Sequence, residues 1–465
     1  MVQRHEMLRT RFVETDDRDE PFAQVMYEDM DLQWVEYSRQ SEINGTGTSE
    51  SNPPMITASR PFSIVVEFTD CEALLTLYMH HAIYDGTALA ILLEEVEALC
   101  QHRVLPPAPT MLTFIDEVKR HAEPEAMEYW NKRVEAFEPI PFPVLFNELV
   151  GATSNVTRKL RVTVAELTSF CTTHEVSHLS LVQAAWSKVL CRAQSSDTIC
   201  FGDVVSGRSV QIYGVDKLLA PCFNTIPVLA ELGAARNNAA LVRNLRDQRL
   251  EAEPYQLAPL RRIQAASLHP SRHLFDSLLI LQPRARPLDG AVWELRGETG
   301  AMDVPLVVEV FQQGDEWSIV IHSQSRYLTS DDASTLANAF AASLQCCIRY
   351  PGGDVRSIVG FDTSVIDGTL VMESSPGANE AVQTVAMGGE HAVAWTRDET
   401  LVRQTLATIA NVPQTSITRE TSLYKLGLDS LNAVSVASRL RTSGLQVSAT
   451  DVMEHRTPAA IAKAA

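Results

Sequence analysis

Apolar positions in the first 365 residues follow two rhythms that alternate along the chain. Continuous or alternating apolar runs predict strands at 63–68, 73–79, 198–205, 275–281, 306–311 and 317–323, and residues 22–36 read as extended. Helical spacing appears at 87–99, where Leu89, Leu92, Leu93, Val96 and Leu99 recur, and again at 126–137, 179–193 and 331–349. Residues 44–54 are rich in Gly, Ser, Thr and Asn and read as a loop. Strands interleaved with helices make this an α/β region. Pro139, Pro141 and Pro143 interrupt the pattern and predict a link between two lobes, 1–138 and 139–362. Residues 363–389 turn small, polar and glycine-rich, which predicts a linker that runs to 395. From 396 to 465 the pattern is helical at 399–410, 431–442 and 458–464, with a short piece at 449–454; this predicts a four-helix bundle.

Size, charge and cysteine usage narrow the picture. A chain of 465 residues exceeds one ordinary core, so two to four compact units are expected. The net charge of −19 argues against nucleic acid as a partner. Residues 396–465 carry eight Lys and Arg against six Asp and Glu, a net +2, which leaves −21 for the rest and marks the C-terminal piece as a distinct module. The eight cysteines form no CxxC pair and no zinc-ligand spacing, so no metal is expected, and reduced thiols in a cytoplasmic protein are the simplest reading. The N-terminus, Met1-Val2-Gln3-Arg4-His5-Glu6, lacks the apolar core of a signal peptide. No apolar run approaches the roughly 20 residues of a membrane span, so no membrane contact is expected.

Two constellations carry candidate chemistry. In Leu77-Tyr78-Met79-His80-His81-Ala82-Ile83-Tyr84-Asp85-Gly86 an apolar strand ends in paired histidines, with a carboxylate four residues after the second. A neutral imidazole accepts a proton near pH 7, and acyl transfer to an amine needs such a base or a group that orients the amine. His81 is the candidate base. Asp85 is expected to shape the loop; buried, it needs a cation, for which Arg208 in Ser206-Gly207-Arg208 is a candidate. The Gly86 amide is a candidate oxyanion donor. The alternative is a pair of ordinary strand-end histidines. In Leu426-Gly427-Leu428-Asp429-Ser430-Leu431, Ser430 opens a predicted helix, where a phosphodiester finds free amides and the positive helix end. The alternative there is simple helix capping by Asp429 and Ser430. No Gly-x-Ser-x-Gly elbow and no phosphate loop of the Walker type occurs, so activation of a substrate by ATP must happen elsewhere.

Four segments, in order, resemble the condensation domains of nonribosomal peptide synthetases. Arg4-His5-Glu6-Met7-Leu8-Arg9-Thr10-Arg11-Phe12 resembles their RHExLRTxF segment, and His80 to Gly86 matches HHxxxDG at every fixed position. Phe201-Gly202-Asp203-Val204-Val205-Ser206-Gly207-Arg208 resembles FGxxxSGR, and Pro221-Cys222-Phe223-Asn224-Thr225-Ile226-Pro227 resembles FxNTxP. The segment around Ser430 resembles the attachment site of peptidyl carrier domains. Residues 221–227 and Tyr84 are similar to fungal siderophore synthetases.

The resemblance implies two chloramphenicol-acetyltransferase-like lobes, an active-site tunnel between them with a carrier docking at each mouth, and a C-terminal four-helix carrier bundle. It implies that His81 is catalytic and His80 mainly structural, that Asp85 pairs with Arg208, and that Asn224 lines the tunnel; a turn-forming asparagine is the alternative. It implies 4'-phosphopantetheine on Ser430 as cofactor. The partners implied are upstream and downstream carrier and adenylation modules and a phosphopantetheinyl transferase. The expected reaction is amide bond formation between a carrier-bound acyl thioester and a carrier-bound amino acid; a hydroxyl acceptor would use the same base. Family members normally have a further strand and helix ahead of the RHExLRTxF segment, so the first lobe is expected to be incomplete, with an exposed sheet edge and apolar surface. The competing readings are a non-catalytic scaffold or docking fragment and an acyl-CoA-dependent HxxxD acyltransferase; the last leaves Ser430 unexplained.

Overall fold

A computed structural model describes residues 1–15, 22–28, 34–38, 56, 60–68, 73–121, 124–140, 142, 153–210, 212–269, 273–282, 287–297, 300, 304–325, 327–366, 395–410, 414–421, 423, 426, 430–448, 451–452 and 455–465. The expected loop at 44–54 lies outside these residues, as do most of the proline-rich link and residues 367–394 of the expected linker. The contacts divide the chain into two units. Unit 1 is Met1–Arg120 with Ser206–Phe223 and Arg286–Gly297; unit 2 is His121–Val205, Asn224–Ala285 and Glu298–Ala465. The first break therefore falls ahead of residue 138, and two later segments return to unit 1.

Unit 1 holds an antiparallel pair, β1 (Thr10–Glu14) and β2 (Phe22–Met26), and a three-stranded sheet. In that sheet β4 (Phe62–Phe68) lies between β3 (Trp34–Ser38), which is parallel to it, and β5 (Ala73–Met79), which is antiparallel. β5 is a terminal strand whose Leu74 and Leu75 are exposed, as is Phe68 on β4. After β5 come α1 (Gly86–Cys100) and α2 (Met111–His121). Three carboxylates fix these helices. Asp85 caps α1 by accepting from Ala88 N. Glu95 on α1 accepts from Arg4 Nε at 2.7 Å and Nη2 at 3.0 Å and bonds His5 Nε2 at 2.7 Å. Glu6 accepts from Met111 N at 2.9 Å and so anchors the start of α2. Burial opposes the charge on Glu95, but Arg4 and His5 together outweigh it and hold this carboxyl below its usual range. Burial pushes the His5 imidazole down. Buried Glu97 accepts from Asp289 N at 2.8 Å and ties segment Arg286–Gly297 to α1.

Unit 2 opens with α3 (Pro124–Val134) and contains a six-stranded sheet in the order β6-β11-β10-β9-β7-β8. The strands are β6 (Thr153–Thr163), β7 (Thr198–Val205), β8 (Asn224–Glu231), β9 (Ser277–Leu281), β10 (Leu306–Gln313) and β11 (Glu316–Gln324). β9 runs parallel to both β7 and β10, and the other pairings are antiparallel. The two-residue turn between β10 and β11 uses Gly314 at φ +64°, a conformation that suits glycine. After α4 (Val164–His174), α5 (His178–Ala193) is buried at 13 of its 16 positions, so it is a core helix rather than a surface one. Buried small residues in this helix let Ser343 Oγ reach Ala185 O at 2.9 Å, which joins α5 to the later helix α8 (Ser330–Arg349). Between them in sequence lie α6 (Asn238–Ala252) and α7 (Leu260–Ala265). Gln248 on α6 donates through Nε2 to Leu229 O at 2.7 Å and accepts through Oε1 from Leu229 N at 3.2 Å, occupying both backbone groups of a residue on the sheet's terminal strand β8.

The expected linker starts later than residue 363. Ile366 is buried in the core of unit 2, and Thr363 Oγ1 accepts from Arg192 Nη2 at 2.6 Å, because an apolar and a hydroxyl side chain there still have partners. The C-terminal residues form their own apolar cluster. It is built on α9 (Arg397–Ala410), α10 (Ser430–Thr442) and α11 (Pro458–Ala464), with Val402, Leu406, Val436, Leu440, Val452 and Ile461 inside. Of the expected short helical piece at 449–454, residues 451–452 are helical and the rest lie outside the described set.

Candidate active site

The turn after β5 is closed by backbone bonds, His80 N to Pro61 O at 2.8 Å and Ile83 N to His80 O at 3.0 Å. The two histidines then take opposite tautomers in their neutral forms. Ala82 N donates to His80 Nδ1 at 3.1 Å, so the His80 proton sits on Nε2. His81 Nδ1 lies 2.9 Å from Tyr84 O, which only accepts, so Nδ1 carries the proton and Nε2 presents a lone pair. That is the form a base must have. The His81 ring lies flat against Tyr84, with centroids 4.7 Å apart and planes at 8°, and Phe223 meets it edge-on at 5.3 Å and 63°.

The ring is exposed, whereas the tunnel that the resemblance implies would enclose it. The reason is local: β5 exposes part of its own apolar surface, and within unit 1 the rings described against His81 are Tyr84 and Phe223.

Asp85 is buried, and its carboxylate gathers four hydrogen bonds. Oδ1 accepts from Ala88 N at 2.6 Å and Arg208 Nη2 at 2.8 Å; Oδ2 accepts from the same Nη2 at 3.0 Å and from Cys222 N at 2.9 Å. Arg208 also donates to carbonyls, Nη1 to Val215 and Leu218 at 2.8 Å each and Nη2 to Ala220 at 3.0 Å, while its buried Nε has no hydrogen-bond partner among the described residues. One guanidinium thus fixes the loop 215–220 and the start of α1 together. The turn that brings Arg208 there passes through Gly207 at φ +63°. Gly86 is the first residue of α1, where helix amides lack intrahelical partners, and a Cβ there would meet nothing within 4 Å. Packing therefore does not demand this glycine.

Asn224 opens β8, and its Nδ2 donates to Gln256 O at 2.7 Å and Ala258 O at 2.8 Å. Both amide protons are spent on holding the turn 256–258. Sequence reasoning missed three contributors: the Tyr84 and Phe223 rings and the Cys222 amide. Tyr84 stood in the quoted motif, but nothing local to it predicts a ring stacked on His81.

Residues 1–361 match the family described as "Condensation domain". The chain belongs to that family. Behind the condensation domain, residues 400–465 match "Phosphopantetheine attachment site". Over 468 residues the chain is 32% identical to "Nonribosomal peptide synthetase sidC" of Arthroderma benhamiae, a match covering 98% of this chain and 9% of that protein. It is 34% identical over 462 residues to "Nonribosomal peptide synthetase 2" of Gibberella zeae, again covering 98% of the chain and 9% of the relative. The chain thus spans about a tenth of the length of these curated relatives. Among solved structures, holo T3CT shares the fold at TM-score 0.62 and 18% identity, with 77% of this chain and 83% of that one covered. The four-domain synthetase holo-AB3403 aligns over 96% of this chain and 35% of its own length, at TM-score 0.61 and 13% identity. The condensation-domain fold was expected from sequence, and these likenesses bear it out.

The phosphopantetheine group can be tested against one observation. Ser430 is the first residue of the 13-residue helix α10, the end of a helix where amides without a partner inside the helix suit a phosphodiester. The residue fits the group. Residues 427–429 lie outside the described set. No helix among the described residues is long and apolar enough to cross a membrane.

Proposed function

We propose that this chain joins a carrier-bound acyl or peptidyl group to a carrier-bound amino acid through an amide bond, with residues 396–465 as its own carrier. The observation that supports this most directly is the bond from His81 Nδ1 to the Tyr84 carbonyl, which leaves Nε2 as a proton acceptor on an exposed ring. In this reading His81 Nε2 takes or orients a proton of the amine as its nitrogen attacks the acyl carbonyl; the C–N bond forms, the C–S bond breaks and the released sulfur is protonated. The Gly86 amide at the head of α1 stabilises charge on the carbonyl oxygen. Asp85 and Arg208 hold the loop and do not touch substrate, and Asn224 shapes the turn 256–258. His80, with its proton on Nε2 and its Nδ1 occupied by Ala82, closes the turn.

4'-Phosphopantetheine on Ser430 would supply the thiol on which acyl groups are carried. The partners are adjoining carrier and adenylation modules and a phosphopantetheinyl transferase. A cytoplasmic setting, in which the seven described cysteines stay as free thiols, completes the reading.

Two measurements test it. Incubation with a phosphopantetheinyl transferase and CoA is expected to raise the intact mass by one phosphopantetheine, and Ser430→Ala to abolish the gain; a gain that survives the substitution removes the carrier assignment. His81→Ala is expected to lower amide formation by about 100-fold or more, the range of general acid–base contributions; unchanged turnover removes the base assignment.

A further inference from the structure

His81 is exposed, so a few specific contacts rather than close packing on all sides must set where Nε2 points. Two aromatic rings and one carbonyl do this: Tyr84 stacks on the imidazole and accepts from Nδ1, and Phe223 abuts its edge. Each ring sits one residue from a group that the Asp85–Arg208 pair fixes. Tyr84 precedes Asp85, and Phe223 follows Cys222, whose amide donates to Asp85 Oδ2 at 2.9 Å. The carbonyls of Val215, Leu218 and Ala220, all bound by Arg208, lie on the segment that leads into Phe223. The ion pair therefore reaches the imidazole at one remove, through both rings.

We propose that Tyr84 and Phe223 are positioning residues, a two-ring clamp that holds the His81 imidazole in the Nδ1–H tautomer and orients Nε2 toward the amine. This rests on the reading of His81 as the base. The role belongs to the Tyr84 ring as well as to its carbonyl, because the stack restrains the plane of the imidazole in addition to the single hydrogen bond at Nδ1. Phe223 is itself exposed, so it provides an apolar wall beside the imidazole for the acceptor side chain or arm.

The test reads the ring without needing a substrate. The full chain labelled with 15N-histidine is compared with Tyr84→Ala, Tyr84→Leu, Tyr84→Phe and Phe223→Ala, and the His81 signals are assigned by their loss in His81→Gln. Wild type is expected to show a protonated Nδ1 and an unprotonated Nε2. Tyr84→Ala and Tyr84→Leu are expected to move the tautomer ratio about 2- to 10-fold toward Nε2–H, the factor that one aromatic pair is worth. Tyr84→Phe keeps the stack and is expected to stay within about twofold of wild type. Phe223→Ala is expected to shift the ratio in the same direction as Tyr84→Ala. Tyr84→Leu fills the space with an apolar group, so it separates loss of the stack from loss of the fold. An unchanged ratio in both Tyr84→Ala and Tyr84→Leu overturns the clamp, as does a Tyr84→Phe chain that behaves like Tyr84→Ala. A ring that responds as expected in a protein where His81→Ala leaves turnover intact refutes the base reading alone. A ring that does not respond, in a protein whose turnover needs His81, refutes the clamp alone.

Discussion

Asp203 offers a sharp test of the energetics in unit 2. It lies on β7 with 1% of its surface exposed. Its ionic partner is Arg249, whose Nη1 is 3.0 Å from Oδ2, but the Arg249 side chain is 38% exposed and its charge is screened by water. Arg133 lines the same cavity of about 10 Å³, together with Trp130 and Gln183, and is engaged with Glu251. Among the described residues Oδ1 has no hydrogen-bond partner. Burial therefore outweighs the guanidinium and pushes the Asp203 carboxyl up to about 7.

The unfolded chain holds this proton with a pKa of about 3.9. The native state thus binds more protons than the unfolded state between about pH 4 and pH 7, and stability falls as pH rises through that window. The full penalty, about 4 kcal/mol at 1.36 kcal/mol per unit, is present above about pH 7 and absent below about pH 4. Asp203→Asn keeps the shape and removes the charge. At pH 8 the variant is expected to be about 2–4 kcal/mol more stable than wild type, and the advantage to shrink by most of that amount at pH 5. Urea unfolding of both proteins at the two pH values, followed by tryptophan fluorescence, gives the difference, in which the other carboxylates cancel. A wild-type-to-variant difference that is the same at pH 5 and pH 8 would refute the reasoning.

Two further substitutions probe one unit each. Arg208→Lys cannot reproduce a guanidinium that serves Asp85 and three carbonyls, and is expected to cost about 3–5 kcal/mol in urea unfolding because it leaves Asp85 buried and poorly paired. Gly202→Ala would set a Cβ 2.5 Å from Leu278 Cδ2 and 2.6 Å from Phe275 Cε2, so a loss of about 1–3 kcal/mol is expected, read as a lower Tm.

Segments with one dominant local signal were legible in the sequence. β7 matches its expected span of 198–205 because an apolar run there is bounded by turn residues, and the histidine loop lies within a single motif. β6 went unnamed: its face is mostly exposed, and Arg158, Lys159 and Arg161 break any apolar rhythm, so only pairing with β11 makes it a strand. α6 went unnamed too, since its five Arg, Asp and Glu residues dilute the signal of Leu241, Val242 and Leu245. At the site, Asp85 and Arg208 are 123 residues apart; the need of a buried carboxylate for a cation made Arg208 a candidate, and the motif resemblance implied the pair. Glu95 and its partner Arg4 are 91 residues apart, and the charged Glu94-Glu95 step in α1 signals at most that a partner exists. The exposure of His81 was not legible, since nothing in the sequence says that apolar Leu74 and Leu75 on the strand leading to it are themselves exposed.

The grip of Gln248 on Leu229 has a consequence for solubility. A bare strand rim recruits foreign strands by offering rows of donors and acceptors. Here one amide side chain imitates a strand one residue long, saturating the rim at Leu229, and Pro227, two positions back, has no N–H to offer. A second molecule sliding along β8 finds that stretch already taken. Replacing Gln248 would thus be felt first as stickiness between molecules.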